Sequence, residues 1–115
     1  METGSGEEKT QQEICVLYVT APPSQSEVLV KSLLEQHLVA CVNITPVRSL
    51  YSWKGESCDD QEDLLIIKTR KSLVQATIAA VKAEHPYEVP EIIALPVTAG
   101  HAPYLDWVYT ETVPQ

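Results

Sequence analysis

The side chains able to do chemistry in this chain are few and scattered. Cys41 would offer a thiolate, a soft ligand suited to Cu(I) or Zn(II), or would serve as a small packed hydrophobe within a strand. His85 stands just before Pro86. At a helix end there, orphan carbonyls favour a nearby cation, and a neutral imidazole is a common metal ligand. The alternative is a helix-capping histidine. Glu56, Asp59, Asp60, Glu62 and Asp63 crowd around Cys58. Clustered oxygens suit calcium or magnesium, yet no EF-hand spacing is present, and charged hairpin tips keep strand ends solvated. Lys68 lies in an apolar strand and must snorkel or find a carboxylate. Tyr87, Glu88 and Glu91 are the expected partners in a small polar pocket between subunits, fit for an anion or small ligand or built as a structural ion pair. No G-x-S-x-G, P-loop, GxGxxG or HExxH pattern is present, so the expectation is a non-enzyme.

These residues sit on a chain of 115 residues with 8 basic and 16 acidic side chains, a net charge of −8. One domain is the expected size class. An acidic domain lacks the positive field that nucleic acids and anionic membranes require. The longest apolar run, from Ile14 to Val19, is far short of the ~20 residues needed to span a bilayer. Residues 1–12 read as a flexible acidic tail without a secretory pattern, 13–112 as the domain, and 113–115 as its C-terminal end. Three cysteines with no CxxC indicate free thiols in a reducing compartment, here the cytoplasm.

The elements that must position the candidates follow from periodicity. Residues 14–20 form a doubly buried strand closed by Ala21-Pro22-Pro23. Ser24-x-x-Glu27 has capping-box form, and Val30, Leu33, Leu34 and Leu38 follow at helical spacing, giving a helix from about Gln25 to His37. Apolar residues then alternate on even positions (Ala40, Val42, Ile44) and switch to odd ones (Val47, Tyr51, Trp53) after Pro46. This predicts one long strand, 40–53, bent or bulged at Pro46. Residues 54–61 read as a polar turn and 64–69 as the returning strand. Ser72-x-x-Gln75 opens a second helix that ends near His85, because Pro86 disfavours helical geometry before it. Residues 91–95 form a fourth strand, and Gly100 and Pro103 frame a short last helix.

The order βαββαβ plus a helix predicts an α+β, ferredoxin-like fold: a four-stranded antiparallel sheet with an extended hairpin and two helices on one face. The other face stays bare, and self-association is the economical way to cover it. Tyr51, Trp53 and Trp107 are the expected interface anchors.

Blocks of this sequence resemble the CutA divalent-cation-tolerance family: Ala40-Cys41-Val42-Asn43-Ile44, Ser49-Leu50-Tyr51-Ser52-Trp53-Lys54-Gly55, Lys68-Thr69, His85-Pro86-Tyr87-Glu88-Val89-Pro90-Glu91-Ile92 and Tyr104-Leu105-Asp106-Trp107. The resemblance spans about residues 14–110 with the blocks in order. It implies a fold similar to PII signalling proteins, a homotrimer joined through the long hairpins, and tolerance to copper and other divalent ions. The chain departs from the copper-binding members, whose proposed ligands are a cysteine before Thr-Ala-Pro and a His-His pair before Pro-Tyr. Val19 and Glu84-His85 stand at those places, so Glu84 would contribute an oxygen beside His85 and favour harder ions. The expected function is therefore weak binding of copper or another divalent cation through His85, Glu84 and Cys41, with no required cofactor. The alternatives are a trimeric scaffold that docks a partner protein, or a small-ligand sensor.

Overall fold

A computed structural model describes residues 13–113; the expected acidic tail, 1–12, lies outside them. The strands are β1 (Ile14–Ala21), β2 (Cys41–Trp53), β3 (Glu56–Arg70) and β4 (Ile92–Pro96). The helices are α1 (Pro23–Glu35), α2 (Val74–Glu84) and α3 (Ala102–Glu111), with a 3-10 turn at Lys71–Leu73 before α2. The sheet order is β2-β3-β1-β4 and every pairing is antiparallel. This is the ferredoxin-like α+β arrangement that the element order implies.

Strand parity sorts the two faces, since successive side chains point to opposite sides. Odd residues of β1 and β3 (Leu17, Val19, Leu65, Ile67) are fully buried and meet Leu29, Val30 and Leu33 of α1 and Val81 of α2. Even residues, from Val16 and Tyr18 to Leu64 and Lys68, form the opposite face. There α3 covers one end of the sheet. Its Val108 is buried, and the buried Arg70 donates from Nε to Thr112 Oγ1 at 2.9 Å and from Nη2 to the Tyr109 carbonyl at 2.6 Å. The rest of that face stays open, with Ile93, Leu95, Tyr104 and Trp107 all 40–51% exposed. The bare face expected from sequence is thus present, narrowed by the last helix.

The hairpin departs from expectation. β2 and β3 pair without interruption from Cys41↔Lys68 to Trp53↔Glu56, and Pro46 sits opposite Asp63 in register. No bulge occurs at Pro46. β2 is an edge strand, where a residue without an N–H is tolerated. The parity switch is real but has another cause. Val42 and Ile44 follow the helix-covered face, while the hairpin beyond Pro46 projects past the helices, in a molecule 57 Å long and 25 Å wide. Its apolar residues there belong to the other face. The polar stretch expected as a turn is mostly strand, because Lys54 and Gly55, both at positive φ (51° and 81°), make the whole reversal.

Both helix starts also differ. Pro22 occupies the N-cap place of α1 with Pro23 in the first turn, and no side chain caps it. Proline's fixed φ and missing N–H suit that first turn, so the helix begins ahead of Ser24. Glu27 pairs instead with Lys31 at 2.8 Å. Ser72 falls inside the 3-10 turn rather than capping α2. At the other end α1 stops at Glu35, earlier than expected. His37 adopts φ 57°, its N–H reaches the Leu34 carbonyl and the Leu38 N–H reaches that of Leu33, which is a Schellman closure. The end of α2 is as Pro86 requires: His85 turns extended, with ψ 136°.

Candidate functional site

The three expected metal ligands are not gathered in one chain. Cys41 opens β2 on the open face. The Lys68 Nζ lies 3.9 Å from its Sγ and also donates to Asn43 Oδ1. Tyr104 of α3 is the other neighbour: burial first, then the adjacent Cys41 sulfur, push its hydroxyl above the ordinary tyrosine range. Glu84, exposed at the end of α2, accepts from Ser32 Oγ of α1 at 2.8 Å. His85 turns away from both and is buried against β1.

His85 has both ring nitrogens engaged. Nδ1 accepts the Tyr87 backbone N–H at 3.1 Å, so it carries no proton. Nε2 must then hold the proton and donate it to the Thr20 carbonyl, 2.7 Å away. Neither nitrogen has a lone pair free for a metal in this arrangement. Cys41 is also remote. Its register partner Lys68 pairs with Val16, four residues along β1 from Thr20, which is ~13 Å at 3.3 Å per residue. Among the described residues no group of three His, Cys, Asp or Glu side chains is placed to hold a metal ion.

The acidic residues of the hairpin are dispersed by strand geometry rather than clustered. Asp59 takes a two-pronged bond from Arg48 at 2.9 and 2.7 Å, and Asp63 accepts from Ser26 Oγ at 2.5 Å. Asp60 and Glu62 point to the open face, continuing the parity of Leu64 and Ile66.

That face carries a cleft of about 630 Å³, within the size range of small-molecule sites. Tyr87, Glu88 and Glu91, expected in a pocket between subunits, line this cleft within one chain. Lys68 does not. It lies four residues down β3 from Leu64, the partner of Thr20 at the cleft, and its ammonium is held by Asn43. Tyr51 and Trp53 from β2 and Asp60 and Glu62 from β3 complete the walls. The connector 86–91 closes them, stiffened by Pro86 and Pro90 and held by an edge-on contact between the His85 and Tyr87 rings, 4.8 Å apart.

Two tyrosine–carboxylate bonds organise the cleft. Tyr87 donates to Glu62 Oε2 at 2.9 Å, and Glu62 is only 4% exposed. Tyr51 donates to Asp60 Oδ2. Burial, and then the bond to Glu62, push the Tyr87 hydroxyl up to about 12. Tyr51 is raised as well, chiefly by its bond to Asp60. Both phenols therefore stay protonated at neutral pH. At the mouth, the Lys54 ammonium sits 5.5 Å from the Trp53 ring centroid and 3.6 Å from Glu88. Asp60, Glu62 and Trp53 were expected in other roles, and Arg48 in none. Extending the even parity of Leu64 and Ile66 back through Glu62 to Asp60 is the sequence signal that would have found the two acids.

Comparison with known proteins agrees with this architecture. The profile of the CutA1 divalent ion tolerance protein family matches residues 15–111. The chloroplastic protein CutA of Arabidopsis thaliana is 46% identical over 99 residues, covering 84% of this chain and 54% of the plant protein. The chain thus spans about half the length of that relative. Among solved structures, CutA1 from Oryza sativa superposes with a TM-score of 0.86 at 45% identity, covering 90% of this chain and 96% of the rice chain. The PII-like protein CutA from Nostoc sp. PCC 7120, in apo form, gives 0.83 at 36% identity over 90% of this chain and 99% of its own. With a family match across nearly the whole domain, the chain belongs to the CutA1 divalent ion tolerance family.

Proposed function

We propose that this chain works as a homotrimeric, non-enzymatic binding protein in the response to divalent metal ions, copper among them. The observation that carries the reading is the match to the divalent ion tolerance family across residues 15–111. Physical features support it. The open sheet face, with Ile93, Leu95 and Trp107 exposed and β2 and β4 at the two edges of the sheet, is a surface that copies of the chain would cover. The projecting hairpin carries Tyr51 and Trp53 to where a neighbouring copy would meet them. A net charge of −8 draws cations. Of the three expected ligands, Cys41 is the soft donor, half-buried beside Lys68 and Tyr104, and a metal bound there would take its other donors from a second copy. Three unpaired cysteines fit a reducing compartment such as the cytoplasm, although the Arabidopsis relative is chloroplastic.

The test is titration calorimetry with Cu(II), Cu(I) and Zn(II), paired with sedimentation. A trimer whose copper affinity falls at least tenfold in Cys41→Ser is the expected result. A folded monomer, or identical isotherms for wild type, Cys41→Ser and His85→Ala, defeats the assembly or the metal site respectively.

The cleft favours a second reading, a small-ligand sensor. Its concave, aromatic-lined shape is that of a binding site, and a Nostoc structural neighbour is described as PII-like.

A further inference from the structure

We infer that the two residues after α3, Thr112 and Val113, form a strap that makes α3 and the turn between α1 and β2 open and close as one unit, although these two elements lie on opposite faces of the sheet.

The strap completes a ring of bonds around one end of the sheet. The ring starts at Thr69 and Arg70, neighbours at the end of β3 whose side chains leave on opposite faces. On the open face Arg70 holds the last turn of α3. It donates to Thr112 Oγ1 and to the Tyr109 and Thr112 carbonyls, and its guanidinium lies over the Tyr109 ring. The buried Thr112 hydroxyl donates in turn to the Val108 carbonyl at 3.0 Å. The chain then leaves the helix extended, with Thr112 at ψ 143°. Its next N–H, that of Val113, meets the His37 carbonyl at 3.0 Å. His37 is the left-handed residue that closes α1. Leu38 follows it, buried, and its carbonyl accepts from Thr69 Oγ1 at 2.5 Å. That bond brings the ring back to β3.

The links depend on one another. A non-glycine residue in left-handed geometry persists where its surroundings hold it there, and the Val113 N–H is the hold that comes from the α3 side. Arg70 is buried, and its bonds go to α3 and Thr112. Undocking α3 would strip a buried cation of those partners and withdraw Val113 from His37 in the same movement. Such a set of mutually dependent bonds opens as one cooperative unit. Every link lies within a single chain, so the ring is the same whether copies stand alone or assemble. The coupling has a direction of use. Tyr104 of α3 neighbours Cys41, so an event on the open face that moves α3 is felt at the end of α1 on the opposite face.

Amide exchange at pH 7 on the full-length protein in its native assembly, read by mass spectrometry on peptides covering 34–40 and 106–112, tests this. The proteins compared are wild type, Val113→Pro and Arg70→Lys. Proline deletes the one N–H in question, and Thr112 already has the extended geometry that a following proline requires. Both variants should exchange at least fivefold faster in both peptides, by matching factors, while the β1 peptide holding Leu17 and Val19 keeps its wild-type rate. Faster exchange in 34–40 on Arg70→Lys is the decisive sign, because the bonds of Arg70 go to the α3 side alone. A response confined to 106–112 in Arg70→Lys, or to 34–40 in Val113→Pro, would mean that the two elements open independently, and the strap would fall. Equal acceleration in β1 would mean general loosening and would overturn it as well. If Arg70→Lys does not fold, Val113→Pro decides alone by the same two peptides.

Discussion

The Tyr87 hydroxyl donates to Glu62 Oε2 across 2.9 Å and thereby ties the connector after α2 to the base of the projecting hairpin. These residues lie 25 apart in sequence, and the bond joins the two segments that make the cleft. Removing the hydroxyl leaves a buried carboxylate without its donor, at a cost of about 1–3 kcal/mol. Tyr87→Phe should lower the urea midpoint accordingly. The pH dependence has a definite sign. The folded pKa of Tyr87, about 12, lies above the ordinary value of 10.0, so folding favours the protonated phenol. That contribution is complete below pH 10 and is lost as pH rises toward 12. The stability gap between wild type and Tyr87→Phe should therefore shrink from pH 10 upward, and a gap independent of pH through that window would break the assignment.

His37 is a second point of definite sign. It holds φ 57° in the left-handed region at the close of α1, where glycine is the usual residue. An L side chain there costs roughly 1–2 kcal/mol. Glycine relieves that but gains about 0.4–1 kcal/mol of unfolded-state freedom. The strain term is the larger, and the imidazole is exposed, so His37→Gly should stabilise the fold by about 0.5 kcal/mol. Thermal melting of the two proteins at one concentration checks it, and a lowered melting point would mean that the imidazole makes contacts worth more than the strain.

Arg70 fastens the last helix. Besides its bonds to Thr112 Oγ1 and the Tyr109 carbonyl, it donates to the Thr112 carbonyl and stacks 3.7 Å from the Tyr109 ring centroid. A planar fork is needed to reach all of these, so lysine is no substitute. Arg70→Lys should cost about 1–3 kcal/mol, the penalty of leaving buried hydrogen-bond partners unsatisfied. Amide exchange should rise first in α3, before β1 or β3. Uniform exchange across the chain would mean that α3 is held by Val108 packing instead.

The layout was readable in the sequence wherever one physical rule acted alone. Ile14 to Val19 could only be a buried strand, and Pro86 had to end α2 at His85. The misreadings came where two rules competed. At Ser24 a capping pattern lost to Pro22-Pro23, which start a helix earlier. At Pro46 a parity change looked like a bulge because periodicity reports which face is buried, and nothing local says that the helices run out while the strand continues. Lys68 shares a face with Leu64 and so reads as a pocket partner of Glu91, but a shared face does not measure distance along a strand. Tyr87, Glu88 and Glu91 line one cleft, since Pro86 and Pro90 confine them to one short connector. His85 was legible as a helix-end residue, though not the consumption of both its nitrogens, because Thr20 approaches from 65 residues away.

The open sheet face gives the last expectation. Val16 pairs with Leu95 and Tyr18 with Ile93, so β1 and β4 present one apolar strip beside Trp107 and Tyr104, whose rings are 5.7 Å apart. Leu95 and Trp107 are 41% and 43% exposed in the single chain, so neither is needed for its core. If copies of the chain bury this strip, each loses apolar contact worth roughly 1.5–3 kcal/mol when its side chain is made polar. The penalty is repeated in every copy of a symmetric assembly. Leu95→Asp and Trp107→Glu should then shift the sedimenting species from trimer toward monomer at micromolar concentration. Circular dichroism should meanwhile keep the strand and helix signal of the isolated fold. Val28, 69% exposed on α1 away from this face, is the control: Val28→Asp should leave the assembly intact. Dissociation by Val28→Asp, or a trimer that survives both Leu95→Asp and Trp107→Glu, would place the contact between copies elsewhere than the open face.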